Sequence, residues 1–385
     1  MRTTSSGEGQ VRNFELRKRM QRLLAQDDAY WRQRAKTHWY RDGDCNTQKF
    51  HASATARKKV NCITSLIDDA RNNITDEQGL RNVAREYFVN IFQKHGSVSD
   101  YVIDVINQSI FALENERLTA PFTKGEFRDA IFSMHPDKCP GLDGFNPGFY
   151  QHFWNLCNDD IFKECCAWLE TGQFPPDLNM TNIALIPKGN SQLSMKDWRP
   201  IALCNVLYKI ISKVLANKLK GVLSQCISDN QTAFVPSRSI LDNAMVAIEV
   251  IHFMKTKTRG TDRYVALKLD ISKAYDCMDW DYLRAVMVKM GFNAKWIHWI
   301  SMCVESVDYF VLVNNEQVDP IIPGRGLRQG DPLSLYLLII CAEGLSSLIR
   351  DAEARNVITG TKVCRRAPSI SHLLFVDDYF LFYQG

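Results

Sequence analysis

Four short apolar runs punctuate the chain, at Ile183–Ile186, Val265–Leu269, Tyr309–Val313 and Leu373–Val376. Each has strand length and ends on turn or polar residues, so each predicts a β-strand. Between them, apolar residues recur at helical spacing over 200–225, 239–256 and 279–300. Residues 76–175 also read as mostly helical, interrupted by one loop at 136–148 (PDKCPGLDGFNPG). Three glycines and three prolines in those thirteen residues make a shaped connection rather than a flexible linker. Just beyond it, Phe149, Tyr150, Phe153 and Trp154 predict a buried helix. Residues 8–60 are helical in pattern, with Val11, Phe14, Leu16, Leu23 and Leu24 among basic residues, and turn formers break them at 41–47. Strands mixed with helices, some adjacent and some separated by long helices, imply an α+β fold. No internal repeat is present.

Composition changes this picture little. Hydrophobic residues make up 45% and charged residues 23% of 385, which is ordinary for a globular chain and excludes wholesale disorder. Net charge is +4, but residues 1–60 hold 14 Lys and Arg against 6 Asp and Glu. A basic head suits phosphate contact; it suits a solvated tail equally well. Its aromatics, Tyr30, Trp31, Trp39 and Tyr40, fit either bases or the packed face of an amphipathic helix. The twelve cysteines are scattered with no Cys-x-x-Cys spacing, which offers neither a zinc site nor a redox motif. The expectation is a reducing intracellular compartment with most thiols buried. The first residues lack the apolar core of a signal peptide. The longest apolar run, Leu335–Ala342, is too short to cross a bilayer, so no membrane partner is expected.

Carboxylates carry the chemistry. Asp377 and Asp378 lie between two apolar runs, which places them at the tip of a hairpin; an exposed turn would explain the pair equally well. Asp270 ends another apolar strand, where a helix is expected to begin, and can cap that helix or face a metal. Were the two strands neighbours in one sheet, the three carboxylates would converge. Three hard oxygen donors with no Cys or His cluster suit Mg²⁺ better than Zn²⁺. In phosphoryl transfer two such ions, about 3.5–4 Å apart, stabilise the attacking and leaving oxygens. Segment 323–334 (PGRGLRQGDPLS) supplies Gly324, Gly326 and Gly330 for close backbone approach and Arg325 and Arg328 as candidate phosphate partners. Asp331-Pro332 predicts a helix start. Lys188 and Arg199, separated by a polar turn, are a candidate triphosphate clamp.

Taken in order, segments 140–144, 184–188, 197–200, 231–238, 268–276, 326–334 and 375–378 resemble the reverse transcriptase of non-LTR (LINE-type) retrotransposons, particularly those of plants. The resemblance spans about 120–385 and extends more weakly to 39–51. It implies a right-hand polymerase fold, fingers and palm, with an antiparallel palm sheet backed by helices. It divides the chain into a basic helical linker region (1–75), a helical extension with the start of the fingers (76–180) and the fingers and palm (181–385). It implies an RNA-directed DNA polymerase acting on an RNA template, a DNA primer and dNTPs. Asp270, Asp377 and Asp378 would be catalytic and hold two Mg²⁺, with Mn²⁺ as a substitute. Lys188 and Arg199 would contact the triphosphate, Tyr275 would select deoxynucleotides, and Gln329 and Gly330 would lie against template or nucleotide.

Val376 stands where that family usually has Ala, Tyr379 where it prefers a small residue, and Leu335 where Pro is usual. Cys45, Gln48 and Cys277 are also unusual for plant elements. None is an implied metal ligand, though a decayed copy would carry such changes. With the chain stopping just after the Asp pair, the thumb is expected to be absent, primer–template binding weak, and the strand Tyr379–Tyr383 frayed. A second expectation is a catalytically inactive nucleic-acid-binding fragment. A third is a Mg²⁺ nuclease, which leaves Lys188, Arg199 and Gln329 unexplained. A nuclear location is expected because the DNA target lies there. No oligomeric state follows from the sequence.

Overall fold

Residue alternation and helical periodicity set the frame, seen in a computed structural model that describes residues 7–35, 47–94, 96, 100–189, 191–257 and 263–384. The first half is helical: α1 (Gly7–Ala35), α2 (Thr47–Val60), a small hairpin of β1 (Leu66–Ile67) and β2 (Asn73–Ile74), then α3 (Glu77–Phe92), α4 (Asp100–Asp104), α5 (Ala112–Thr119), α6 (Lys124–Phe132), α7 (Pro147–His152) and α8 (Trp154–Thr171). Next come β3 (Met180–Pro187) and β4 (Trp198–Leu203), followed by α9 (Val206–Lys220), α10 (Leu223–Cys226) and α11 (Ile240–Thr256). The remainder is β5 (Tyr264–Asp270), α12 (Trp280–Met290), α13 (Ala294–Glu305), β6 (Asp308–Val313), β7 (Glu316–Gln317), α14 (Ser334–Ala354), β8 (Thr359–Gly360), β9 (His372–Phe375) and β10 (Asp378–Gln384). The fold is α+β. Among the described residues, no helix is long and apolar enough to cross a membrane.

Two sheets matter for the site. In the first, β10 is central: β5, β8 and β9 all pair with it, all antiparallel. The expectation that Tyr379–Tyr383 would fray is therefore corrected, since that strand has neighbours on both sides. Among the described residues β5 is paired only with β10 and lies mostly open, with Val265, Leu267 and Leu269 exposed. The second sheet runs β4-β3-β6-β7 and is mixed, because β3 and β6 are parallel.

Several sequence expectations need correction. The helical reading over 200–225 hid β4, and helix α9 starts only at Val206. The pattern over 279–300 is two helices, divided at Gly291. Its φ of +91° ends α12, and a Cβ there would lie 2.5 Å from the Ile110 carbonyl oxygen. No helix begins at Asp270; turns follow it, and α12 is capped by Asp279, whose carboxylate accepts from the Tyr282 amide. Pro332 precedes α14 rather than opening it. Of the eleven described cysteines only five are buried. Tyr150 and Trp154 are buried, but Phe149 and Phe153 face out. On α1 the side chains of Val11, Phe14, Leu16, Leu23 and Leu24 are exposed rather than packed, whereas Trp31 is half-buried against the His51 ring. The break at 41–46 and the aromatics Trp39 and Tyr40 lie outside the described residues.

The largest core packs α6, α8, α9, α12, α13 and α14 around Phe127, Tyr208, Trp296 and Leu337. It draws on both sides of residue 180. A second core fixes α3 against β3 and β6 through Phe88, Ile183 and Val311. A third seats α11 on the hairpin through Val250, Leu373 and Phe382.

Candidate active site

The three carboxylates come from β5 and the β9–β10 hairpin. Asp270, the last residue of β5, is the direct cross-strand partner of Asp378, the first residue of β10. The Ile271 amide donates to the Asp377 carbonyl at 3.1 Å, which makes 270/378 the narrow, non-hydrogen-bonded kind of pair. Such pairs bring side chains closest, with Cα atoms about 4.5 Å apart. Both carboxylates thus lie on one face at one end of the sheet. Asp377 sits in the two-residue turn with Val376, whose φ is +65°. A β-branched residue there is strained, and the two flanking strands together with packing of its side chain against the largest core hold it in place.

Lys268 lies two residues before Asp270 and, by alternation, on the same face. Its ammonium pairs with Asp378 at 2.9 Å, and that contact raises its pKa. Among the described residues, no three His, Cys, Asp or Glu side chains form a ready metal-holding group. The donors still fit Mg²⁺, which commonly takes one or two carboxylates plus substrate phosphates. Asp270 and Asp378 supply such oxygens, provided the Lys268 ammonium yields.

A second group of residues gathers on the loop after β5 and the loop before α14. The Leu327 amide donates to the Tyr275 carbonyl and the Gly326 amide to that of Met278, both at 2.7 Å. Tyr275 is half-buried, and burial and then the charge of Asp377 push its phenol pKa up. Gln329 donates weakly, at 3.4 Å, to Asp276, and its carbonyl accepts from the Ala202 amide of β4 at 2.9 Å. Burial lifts the Asp276 carboxyl to about 6, opposed by Lys273, the Gln329 hydrogen bond and Lys188. Gly330 has φ +105°, a conformation that side chains rarely adopt.

The expected phosphate role of Arg328 is corrected. Its guanidinium is buried, donates to Asn179 and to the Cys303 carbonyl, and stacks 3.9 Å from the Tyr208 ring centroid. Tyr208 and Ser212 donate in turn to Asp331, which also accepts from the Leu333 amide. This clasp fixes the segment that presents Gln329 and Gly330. Arg325 donates to the Ile91 carbonyl at 2.7 Å.

Lys188 and Arg199 share the β3–β4 hairpin. Arg199 pairs with Ile186 and Trp198 with Pro187, and the Lys188 amide donates to the Asp197 carbonyl. Alternation then puts Lys188 and Arg199 on one face, while Trp198 points into the second core. Both cations are exposed. The Lys188 ammonium donates to the Lys196 carbonyl at 2.8 Å.

Residues 227–238 brace the hairpin from behind. The Leu374 amide donates to the Asn230 carbonyl and the Asn230 amide group to that of His372, both at 2.8 Å. Arg238 ties the segment together by donating to the carbonyls of Ser228, Gln231 and Ile227. Sequence reasoning assigned no role to Lys268 or Asp276. Two-residue spacing from Asp270 was the available signal for Lys268; none existed for the burial of Asp276.

Residues 186–385 match the family described as "Reverse transcriptase (RNA-dependent DNA polymerase)". The chain belongs to the reverse transcriptase family. It is 30% identical over 312 residues, 80% of its length, to the transposon TX1 uncharacterized 149 kDa protein of Xenopus laevis. It is 25% identical over 274 residues, 69% of its length, to the retrovirus-related Pol polyprotein from the type-2 retrotransposable element R2DM of Drosophila melanogaster. In each case the match covers 24% of the relative, so the chain spans about a quarter of their length. A shorter match, 48% identical over 67 residues, is to the uncharacterized mitochondrial protein AtMg01250 of Arabidopsis thaliana, covering 17% of this chain and 55% of that protein. This reverse transcriptase domain groups with those of non-LTR retrotransposons.

Proposed function

We propose that this reverse transcriptase domain forms the fingers and palm of a right-hand polymerase that copies an RNA template by adding dNTPs to a DNA primer. One observation carries the reading: Asp270 and Asp378 face each other across adjacent strands, with Asp377 in the turn between β9 and β10. Mg²⁺ bound by these three aspartates, with Mn²⁺ as a substitute, would supply Lewis-acid stabilisation of charge developing on the phosphate. β5, β9 and β10 form the palm in this reading, and the β3–β4 hairpin forms the fingers.

The protein's own side chains divide the remaining work. Lys188 and Arg199 bind the triphosphate, Arg by its planar fork and Lys as a point charge. Tyr275, its phenol held protonated, presents a neutral ring against the sugar and excludes a 2′-hydroxyl. Gln329, oriented by Asp276, and the open backbone at Gly330 contact the nucleotide or its template partner. An origin among plant elements is in keeping with the short match to a protein of Arabidopsis thaliana, and a chromosomal DNA target would put the work in the nucleus.

A second reading, a nucleic-acid-binding domain without catalysis, draws support from the Lys268–Asp378 ion pair. Primer extension on an RNA template in Mg²⁺ and then Mn²⁺ separates the two. Extension by wild type, and at least a 100-fold lower rate for Asp377→Asn/Asp378→Asn, is expected, since the loss removes charge stabilisation of the transition state. Equal rates from both proteins would refute the site. RNA binding with no extension by either would favour the second reading.

A further inference from the structure

A cavity of about 420 Å³ opens beside the candidate active site, between α9, α14 and the loop after α6. Tyr275, Gln329 and Gly330 line it together with Lys138 and Lys213. Met134, Pro332 and Leu335 add apolar surface to the lining. The volume lies in the range of small-ligand sites.

The two lysines are its unusual feature. Lys213 projects from α9 and is partly buried; Lys138 is exposed on the 134–146 loop. Among the described residues neither has a carboxylate within ion-pairing distance. Burial lowers the pKa of Lys213, and the charges of Lys220 and Lys138 lower it further. Lys209, whose ammonium donates to the Cys139 carbonyl, adds a third positive charge behind the loop. Asp331 is the one acid on the cavity wall. Its carboxylate is already occupied by Tyr208, Ser212 and the Leu333 amide, with Arg328 beside it at 3.6 Å. A partly buried ammonium group without a counterion, as at Lys213, costs free energy, which an incoming anion offsets.

We infer that Lys138 and Lys213 hold a phosphodiester of the single-stranded template where it passes Gly330 toward the catalytic carboxylates. Two sources of phosphate compete for such a site, the template backbone and the nucleotide's triphosphate, and the charge layout favours the template. Lys188 and Lys196 form a separate basic group with Lys273, beside Asp276. The cations that act on Lys213 are Lys220 and Lys138, and no member of the hairpin group is among them. Gln329 links the two, since it lines the cavity and also donates to Asp276. One nucleotide needs one triphosphate site, so the second basic group serves a different phosphate. The identity of the strand rests on the polymerase reading; the anion site itself does not.

Binding and catalysis test this separately. Fluorescence anisotropy of the protein with a labelled single-stranded RNA, from 50 to 300 mM salt, is compared for wild type, Lys138→Gln/Lys213→Gln and Lys138→Arg/Lys213→Arg. The Gln pair is expected to weaken RNA binding about 5-fold and to flatten the salt slope by about 0.7, the value for one single-strand phosphate. The Arg pair should retain binding, and far-ultraviolet circular dichroism should match throughout. In primer extension the dNTP KM should stay at the wild-type value for the Gln pair and rise for Lys188→Gln/Arg199→Gln. An unchanged RNA affinity and slope would overturn the inference. So would an unchanged RNA affinity with a raised dNTP KM, which would assign the lysines to the triphosphate. Weaker RNA binding in a protein that extends no primer would sustain the site while refuting the polymerase reading.

Discussion

Asp276 and His372 are both buried at the margins of the carboxylate site, one behind Gln329 and the other at the root of β9. They couple stability to pH in opposite senses. Asp276 is lifted from 3.8 to about 6 by burial, against Lys273, Gln329 and Lys188. Its contribution is complete below pH 3.8 and lost as pH rises to about 6. His372 sits between the Ser346 and Ser371 hydroxyls. Burial and then Arg350, against Glu353, depress it from 6.5 to about 4. Its contribution is complete above pH 6.5 and lost as pH falls to about 4. Each shift is worth on the order of 3 kcal/mol across its window, so the two slopes nearly offset. Asp276→Asn is therefore expected to lose stability on acidification from pH 6.5 to 4 relative to wild type. His372→Gln should gain it over the same range. Urea unfolding at four pH values reads both, and curves parallel to wild type would remove the assignment. Neither slope was legible in the sequence: Asp276 reads as one more acid in a motif, and its burial comes from the packing of two distant loops.

At the level of elements, the clasp around Arg328 decides where Gln329 and Gly330 sit. Arg328 and Asp331 each expose only 2% of their side chains. Removing one partner of such a pair strands the other charge, which typically costs 3–5 kcal/mol. Arg328→Met should therefore unfold at markedly lower urea, and adding Asp331→Asn should recover part of the loss. A single variant as stable as wild type would mean the loop is held by something else. The sequence misread this arginine because its glycine-flanked setting suits phosphate contact as well as burial. The strands were easier. β3, β5, β6 and β9 each announce themselves as apolar runs, whereas β4 merges into the helical pattern after it and carries Pro200. Proline is tolerated there because β4 is the edge of its sheet. The turn between β9 and β10 was legible as a hairpin tip, but not the strained backbone at Val376.

Across the whole molecule, the candidate site joins residues more than 100 positions apart, and sequence alone could say only that Asp270 and the Asp pair both end strands. That β5 is the neighbour of β10, rather than of another strand, shows only in the register that sets Asp270 opposite Asp378. Lys138 and Lys213 come together only because α9 and the 134–146 loop share a core with α14. The open position of β5 has a colloidal consequence. An edge strand of seven residues, apolar at Val265, Leu267 and Leu269, offers unpaired backbone groups to a second molecule. Lys268, the charge that would discourage such pairing, is neutralised by Asp378. Light scattering of the purified chain should rise steeply with concentration and respond little to salt. Leu267→Lys should keep it dispersed, so this strand, rather than the basic head, sets how concentrated a solution of the protein can be made.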